Sequence, residues 1–125
     1  MIALDASALL AFLFREQGGP RVGEAIGAAC ISAVNLSEVL ARFARDGHDP
    51  AAVAERVAAG GLEVVPFTRE HAALAARLVP VTRRLGLSLG DRACLALALS
   101  RRVGALTADR AWARLKVGVE IEVLR

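Results

Sequence analysis

The chain has 125 residues, 55% of them hydrophobic and 23% charged, which suits one hydrophobic core and excludes a disordered chain. Aromatic residues make up only 4%, with no Tyr and one Trp, so the core is expected to be built from Ala, Val, Leu and Ile. No apolar run reaches the roughly 20 residues of a membrane span, and Asp5 stands where a secretory signal carries positive charge, so a cytoplasmic protein that avoids membranes is expected. In chain order, the apolar run 1–4 predicts a first strand stopped by Asp5, and the hydrophobic segment 8–14 ends at Arg15-Glu16. Gly18-Gly19-Pro20 is a turn signal. A second apolar run, 28–32, leads into a segment where Leu36, Val39, Leu40 and Phe43 recur at helical spacing. Asp46-Gly47 ends that helix, Pro50 opens another that stops at Gly60-Gly61, and residues 62–65 read as a strand closed by Pro66.

Thr68 is a candidate N-cap for a helix over 68–79 with Pro80 beyond its end. Ser88 begins a strongly apolar helix to about Arg102, with Gly104 as its C-terminal signal. Residues 105–107 predict a short strand, and 119–123 alternate as an edge strand does. Strands and helices alternate throughout, which predicts an α/β fold in a single domain spanning 1–125. Its sheet is parallel, central and about five-stranded, with helices on both faces.

Charge is unevenly spread. Residues 1–68 carry five basic and eight acidic side chains, and residues 69–125 carry eleven and five. The net charge of +3 and its segregation suit a protein that follows a phosphate backbone while holding a local acidic site. Lys116 is the only lysine and follows neither a Gly-rich loop nor a buried apolar run, against P-loop or Schiff-base chemistry. Cys30 and Cys94 lie inside apolar runs, as suits a reduced interior.

Ligands of an open parallel sheet bind beyond the carboxyl ends of its strands, and four acids are expected there. Asp5 follows the first strand, Asp109 follows the 105–107 strand, Asp91 lies in the first turn of the Ser88 helix, and Glu38 lies in the helix after the second strand. Each also has a structural explanation. Asp5 and Asp109 suit N-caps, Ser88 to Asp91 reads as a capping box, and Glu38 shares a polar stripe with Asn35 and Arg42. Together they are harder to explain that way, because two carboxylates about 4 Å apart repel by about 4 kcal/mol. A cluster is held by raised pKa values or by a cation, and hard oxygen donors select Mg²⁺ or Mn²⁺.

The blocks Leu4-Asp5-Ala6-Ser7-Ala8-Leu9-Leu10, Asn35-Leu36-Ser37-Glu38-Val39, Leu89-Gly90-Asp91-Arg92-Ala93-Cys94-Leu95-Ala96 and Leu106-Thr107-Ala108-Asp109-Arg110-Ala111-Trp112 resemble, in order, the signature blocks of PIN-domain ribonucleases, in particular the VapC-type toxins of bacterial toxin–antitoxin pairs. The resemblance implies a doubly wound parallel sheet and an acidic pocket that binds Mg²⁺ or Mn²⁺ and hydrolyses single-stranded or loop RNA. It implies Asp5, Glu38, Asp91 and Asp109 as the catalytic quartet, with Asp5 and Asp91 touching the metal directly and Glu38 and Asp109 partly through water. Ser7, Asn35 and Thr107 are then the groups that orient the carboxylates, and a homodimer and a VapB-type antitoxin are the implied protein partners. One departure stands at Ala6, where many relatives carry Ser or Thr.

Arg92, Arg110 and Arg114 flank the acidic blocks as candidates for holding RNA phosphates, against the alternative of ordinary surface arginines. Trp112 either stacks a base or packs the last helix, with packing favoured. A metal-independent ribonuclease needs an acid–base pair, usually two histidines. His48 and His71 are both expected at the surface without metal-ligand spacing. A receiver domain lacks its paired acids and late lysine here, and a haloacid-dehalogenase-type phosphatase lacks a second Asp at position 7. A non-catalytic module that binds an antitoxin-like helix through a leftover apolar patch is the alternative from a different class.

Overall fold

A computed structural model describes all of residues 1–125. Its elements are β1 (Ile2–Leu4), α1 (Ala6–Leu13), α2 (Gly19–Ala25), β2 (Ala29–Ser32), α3 (Ala33–Arg45), α4 (Pro50–Ala59), β3 (Glu63–Val65), α5 (Arg69–Arg77), α6 (Val79–Thr82), α7 (Leu89–Arg101), β4 (Gly104–Thr107) and β5 (Ile121–Val123), with 3-10 turns at 26–28, 83–85 and 110–114. The five strands form one all-parallel sheet in the order β3-β2-β1-β4-β5. The α/β architecture anticipated from alternating apolar runs is therefore the one observed, with the 119–123 segment at the edge as its alternation implied.

Side chains along a strand alternate between faces, and here each face is buried. Ala3, Cys30 and Ala105 point to one side, where their small size admits α7 with Leu95 and Leu97. Leu4, Ile31 and Leu106 point to the other, against Leu9 of α1, Val22 of α2 and Val39 of α3. The strand order reverses at β1: the chain leaves β1 toward β2 on one side and returns to β4 on the other. The carboxyl edge of the sheet beyond Leu4 and Thr107 is thus the switch point of a doubly wound sheet, where such folds have their ligand-binding crevice.

Local expectations are refined at the glycines and prolines. Gly18-Gly19-Pro20 supplies the expected turn, closed by the Gly19 N–H donating to the Glu16 carbonyl at 2.9 Å, and then runs straight into a helix. Gly18 takes a left-handed φ of 90°, and Pro20 sits in the first turn of α2, where its missing N–H costs nothing. Pro80 lies beyond the end of α5, as expected, and also stands in the first turn of α6. Gly104 is not the helix stop; Arg102 takes the left-handed position at φ 57°, and Gly104 begins β4, where an added Cβ would stand 3.0 Å from the Glu120 carbonyl oxygen. No helix is long and apolar enough to cross a membrane.

Candidate active site at the sheet switch point

Asp5 stands at this switch point and is buried, 3% exposed. Its backbone N–H donates to the Leu106 carbonyl at 3.2 Å, carrying the β1–β4 ladder one step beyond the strands. Its carboxylate caps α1, with Oδ1 accepting from the Ala8 N–H at 2.8 Å. The Ser7 hydroxyl donates to Oδ1 at 2.8 Å, and the Thr107 hydroxyl of β4 donates to Oδ2 at 2.5 Å. Burial pushes the Asp5 carboxyl up to about 6, against the lowering effect of the hydrogen bonds from Thr107, Ala8 and Ser7; the negative charge of Asp91 adds to the rise.

The two hydroxyls also fix the loop after β4. Ser7 Oγ accepts from the Ala108 N–H at 2.9 Å, and Thr107 Oγ1 accepts from the Asp109 N–H at 3.0 Å. Asp109 in turn caps the 110–114 turn through Ala111, at 3.0 Å. Across the crevice, Asp91 completes the capping box of α7: its Oδ2 accepts from the Ser88 N–H at 2.9 Å while Ser88 Oγ accepts from the Asp91 N–H at 3.2 Å. The capping roles read from the sequence are therefore real, and those of Asp91 and Asp109 each leave the carboxylate a second oxygen.

Glu38 is held at the crevice from α3. The Asn35 Nδ2 donates both to Glu38 Oε1 at 3.0 Å and to the Gly90 carbonyl at 2.8 Å, tying α3 to the start of α7. Asn35 is 1% exposed, so it leaves the solvent stripe it was expected to share with Glu38 and Arg42, and its Oδ1 is buried without a partner. Gly90 is the residue the sequence reading missed. A Cβ there would stand 2.4 Å from both Glu38 oxygens, so the carboxylate occupies the space that any larger residue would fill. Glycine in the first turn of an otherwise apolar helix costs about 1 kcal/mol against alanine; that local conflict is the signal that could have exposed it.

Beneath the rim, burial pushes the Cys94 thiol well up, and the charges of Asp5, Asp91 and Glu38 add to the effect. Three carboxylates from separate parts of the chain therefore lie within electrostatic reach of one buried group, while Asp109 is tied to Asp5 only by its backbone N–H on Thr107. Cys30 and Cys94 are buried free thiols. No three Asp, Glu, His or Cys side chains stand close enough together to hold an ion as placed. In kind, the donor set is entirely carboxylate oxygen, which matches a hard divalent cation and not zinc.

The flanking residues divide. Arg92 is half-buried and its Nη1 donates to the Ala75 carbonyl at 3.4 Å. Arg110 is exposed, with Nε donating to the Arg125 carbonyl at 3.1 Å, and Arg114 is exposed at the end of the same turn. Trp112 is fully buried in the α7 layer, so packing, not base stacking, is its role. His48 is exposed, but His71 is 5% exposed, contrary to expectation. It shares with Ala75 and Leu78 the i, i+4, i+7 stripe by which α5 and the turn after it meet the core.

A family model described as the PIN domain matches residues 2–118. Among solved structures, the fold is similar to a toxin–antitoxin complex from Klebsiella pneumoniae, with TM-score 0.72 and 17% identity over 97% of this chain and 100% of that one. It is also similar to DNA-bound VapBC from Salmonella typhimurium, with TM-score 0.73 and 20% identity over 100% of both chains. A third similar structure is VapBC2 from Rickettsia felis bound to a DNA fragment from the promoter, with TM-score 0.68 and 16% identity over 100% of both. A search of curated proteins gave no match.

Proposed function

The chain belongs to the PIN-domain family, and on that footing we propose that it is a divalent-metal-dependent endoribonuclease acting in the cytoplasm as the toxin of a VapBC-type pair. The observation that carries the reading is Asp5: a buried carboxylate at the switch point, bonded across the sheet to Thr107 and sensing the charge of Asp91. Asp5 and Asp91 would hold Mg²⁺ or Mn²⁺ directly, with Glu38 and Asp109 completing the quartet. When bound, such an ion supplies Lewis acidity, making water a nucleophile near neutral pH and offsetting charge on a phosphoryl oxygen.

The protein's own contribution is orientation and charge. Ser7 and Thr107 hold both Asp5 oxygens from the protein side, so the carboxylate is fixed before any substrate arrives. Asn35 and the space left by Gly90 set where Glu38 stands. Arg110 and Arg114 on one flank, and Arg92 on the other, offset the negative charge of an approaching RNA backbone. Attack by water leaves 5′-phosphate and 3′-hydroxyl ends, whereas attack by a 2′-hydroxyl leaves a cyclic phosphate.

A homodimer and a VapB-type antitoxin complete the proposal. An apolar groove of about 270 Å³, lined by Leu9, Phe12, Leu13, Phe43, Val53 and Val57, supports the second partner, since it suits the apolar face of a helix. The same groove favours the alternative, an interaction module without catalysis, as does the spacing of the carboxylates. Cleavage of RNA with Mg²⁺ or Mn²⁺ separates the two. The wild type should cut and leave 5′-phosphate ends, Asp5→Asn should not, and either ion should raise the melting temperature of the wild type far more than that of the variant. Equal cleavage by both proteins, or none by either with no ion-dependent stabilisation, would leave the interaction module standing.

A further inference from the structure

We propose that Arg77, Arg83 and Arg84 form a track for the phosphate backbone of single-stranded RNA leading to the acidic rim, an inference that rests on the nuclease reading. Two contacts fix the direction of α5 on α7. Ser100 Oγ donates to Glu70 Oε1 at 3.4 Å at one end, and Arg92 Nη1 donates to the Ala75 carbonyl at 3.4 Å at the other. The helices are antiparallel, so the C-terminal end of α5 lies beside the start of α7, where Asp91 stands. The segment from Arg77 through α6 and the 83–85 turn to Ser88 therefore begins and ends beside the rim.

That segment has no counter-charge of its own. Residues 71–90 contain three arginines and no Asp or Glu. Arg77, Arg83 and Arg84 are all exposed, and none forms an ion pair. Arg101, at the far end of α7, is by contrast held by Glu63 at 2.6 Å, and Arg21, Arg42 and Arg125 also have carboxylate partners. Adjacent guanidinium groups without an ion-pair partner repel within a Debye length of about 10 Å. An anionic chain laid along them relieves that repulsion, and the planar fork of arginine suits phosphate oxygens.

Chemistry also limits what the track reads. No Phe, Trp or Tyr occurs between Phe67 and Trp112, so the segment offers no aromatic ring on which a base could stack. It supplies affinity and direction toward the rim, and sequence choice must be made elsewhere.

The test is equilibrium binding of two short fluorescein-labelled single-stranded RNAs of unrelated sequence, in EDTA so that nothing is cut, over about 50–200 mM salt. Arg83→Gln/Arg84→Gln should weaken binding of both RNAs by the same factor, about tenfold at the low-salt end, and should make the log–log salt slope shallower by about 1.4. Arg102→Gln, which removes one arginine charge at the opposite end of α7, should leave the slope unchanged, and thermal melts should show every variant folded. An unchanged slope in the double variant, with the wild type binding and cutting RNA, overturns the track and spares the nuclease. A loss confined to one sequence, or conversion of a dimer to a monomer in light scattering, also overturns it. A wild type that neither binds nor cuts any RNA with Mg²⁺ or Mn²⁺ overturns the nuclease reading itself.

Discussion

Asp5 binds its proton more tightly in the folded chain than in the unfolded one, because burial lifts its pKa from an ordinary 3.8 to about 6. Between about pH 4 and 6 the folded state therefore carries the extra proton, and stability falls as pH rises through that window. A rise from 3.8 to about 6 corresponds to at most about 3 kcal/mol, with the full cost present above pH 6. Asp5→Asn removes the charge while keeping an oxygen to cap α1. In EDTA the variant should match the wild type near pH 4 and exceed it in melting temperature by a margin that grows toward pH 7. A margin that does not change with pH would show that Asp5 is not the group responsible. The residue types and their spacing made Asp5, Glu38, Asp91 and Asp109 legible as candidates. Their distances were not legible, because each position depends on a partner far away in the chain: Thr107 for Asp5, and Gly90 for Glu38.

The joint between α3 and α7 shows what an element-level pattern conceals. Leu36, Val39, Leu40 and Phe43 announced α3 correctly, yet the contact that matters for the crevice lies off that stripe, where Asn35 and Glu38 meet Gly90. Exchanging glycine for alanine inside a helix ordinarily adds about 1 kcal/mol. Here Gly90→Ala should give no gain, since the new methyl group would displace the Glu38 carboxylate, whereas the same change made in a Glu38→Ala background should recover it. Urea unfolding of the four proteins in this cycle measures the coupling, and additive effects would remove Gly90 from the account of the rim. Helix boundaries were least legible at the prolines. Pro20 and Pro80 each stand in the first turn of a short helix that went unread in the sequence, and a first-turn proline looks the same in sequence as one that follows a helix end.

At the scale of the molecule, one sheet is shared by two apolar layers, with α7, Trp112 and Leu78 on one face and α1, α2, α3 and α4 on the other. Neither layer retains its floor if the sheet parts. The chain should therefore unfold as a unit, and its single tryptophan, buried on the α7 side, reports on both faces. Leu9→Ala, made in the opposite layer, should cost about 2–5 kcal/mol and should shift the Trp112 fluorescence transition and the far-UV circular dichroism transition together. Separate transitions would show two independently melting layers. The two-faced architecture was legible because Ala3, Leu4, Cys30, Ile31, Ala105 and Leu106 are apolar without interruption, as strands buried on both sides must be.

Three of the rim's acids also hold backbone: Asp5 starts α1, Asp91 closes the box at the head of α7, and Asp109 starts the last turn. A lineage drifting toward an inert protein cannot discard these side chains freely, since alanine at a cap weakens the architecture by about 1 kcal/mol each time. At the two N-caps, Asp5 and Asp109, asparagine is the open exit, as good a cap as aspartate, without the charge and a single nucleotide away. Decayed descendants of such a gene should accumulate asparagine at these positions ahead of any other replacement.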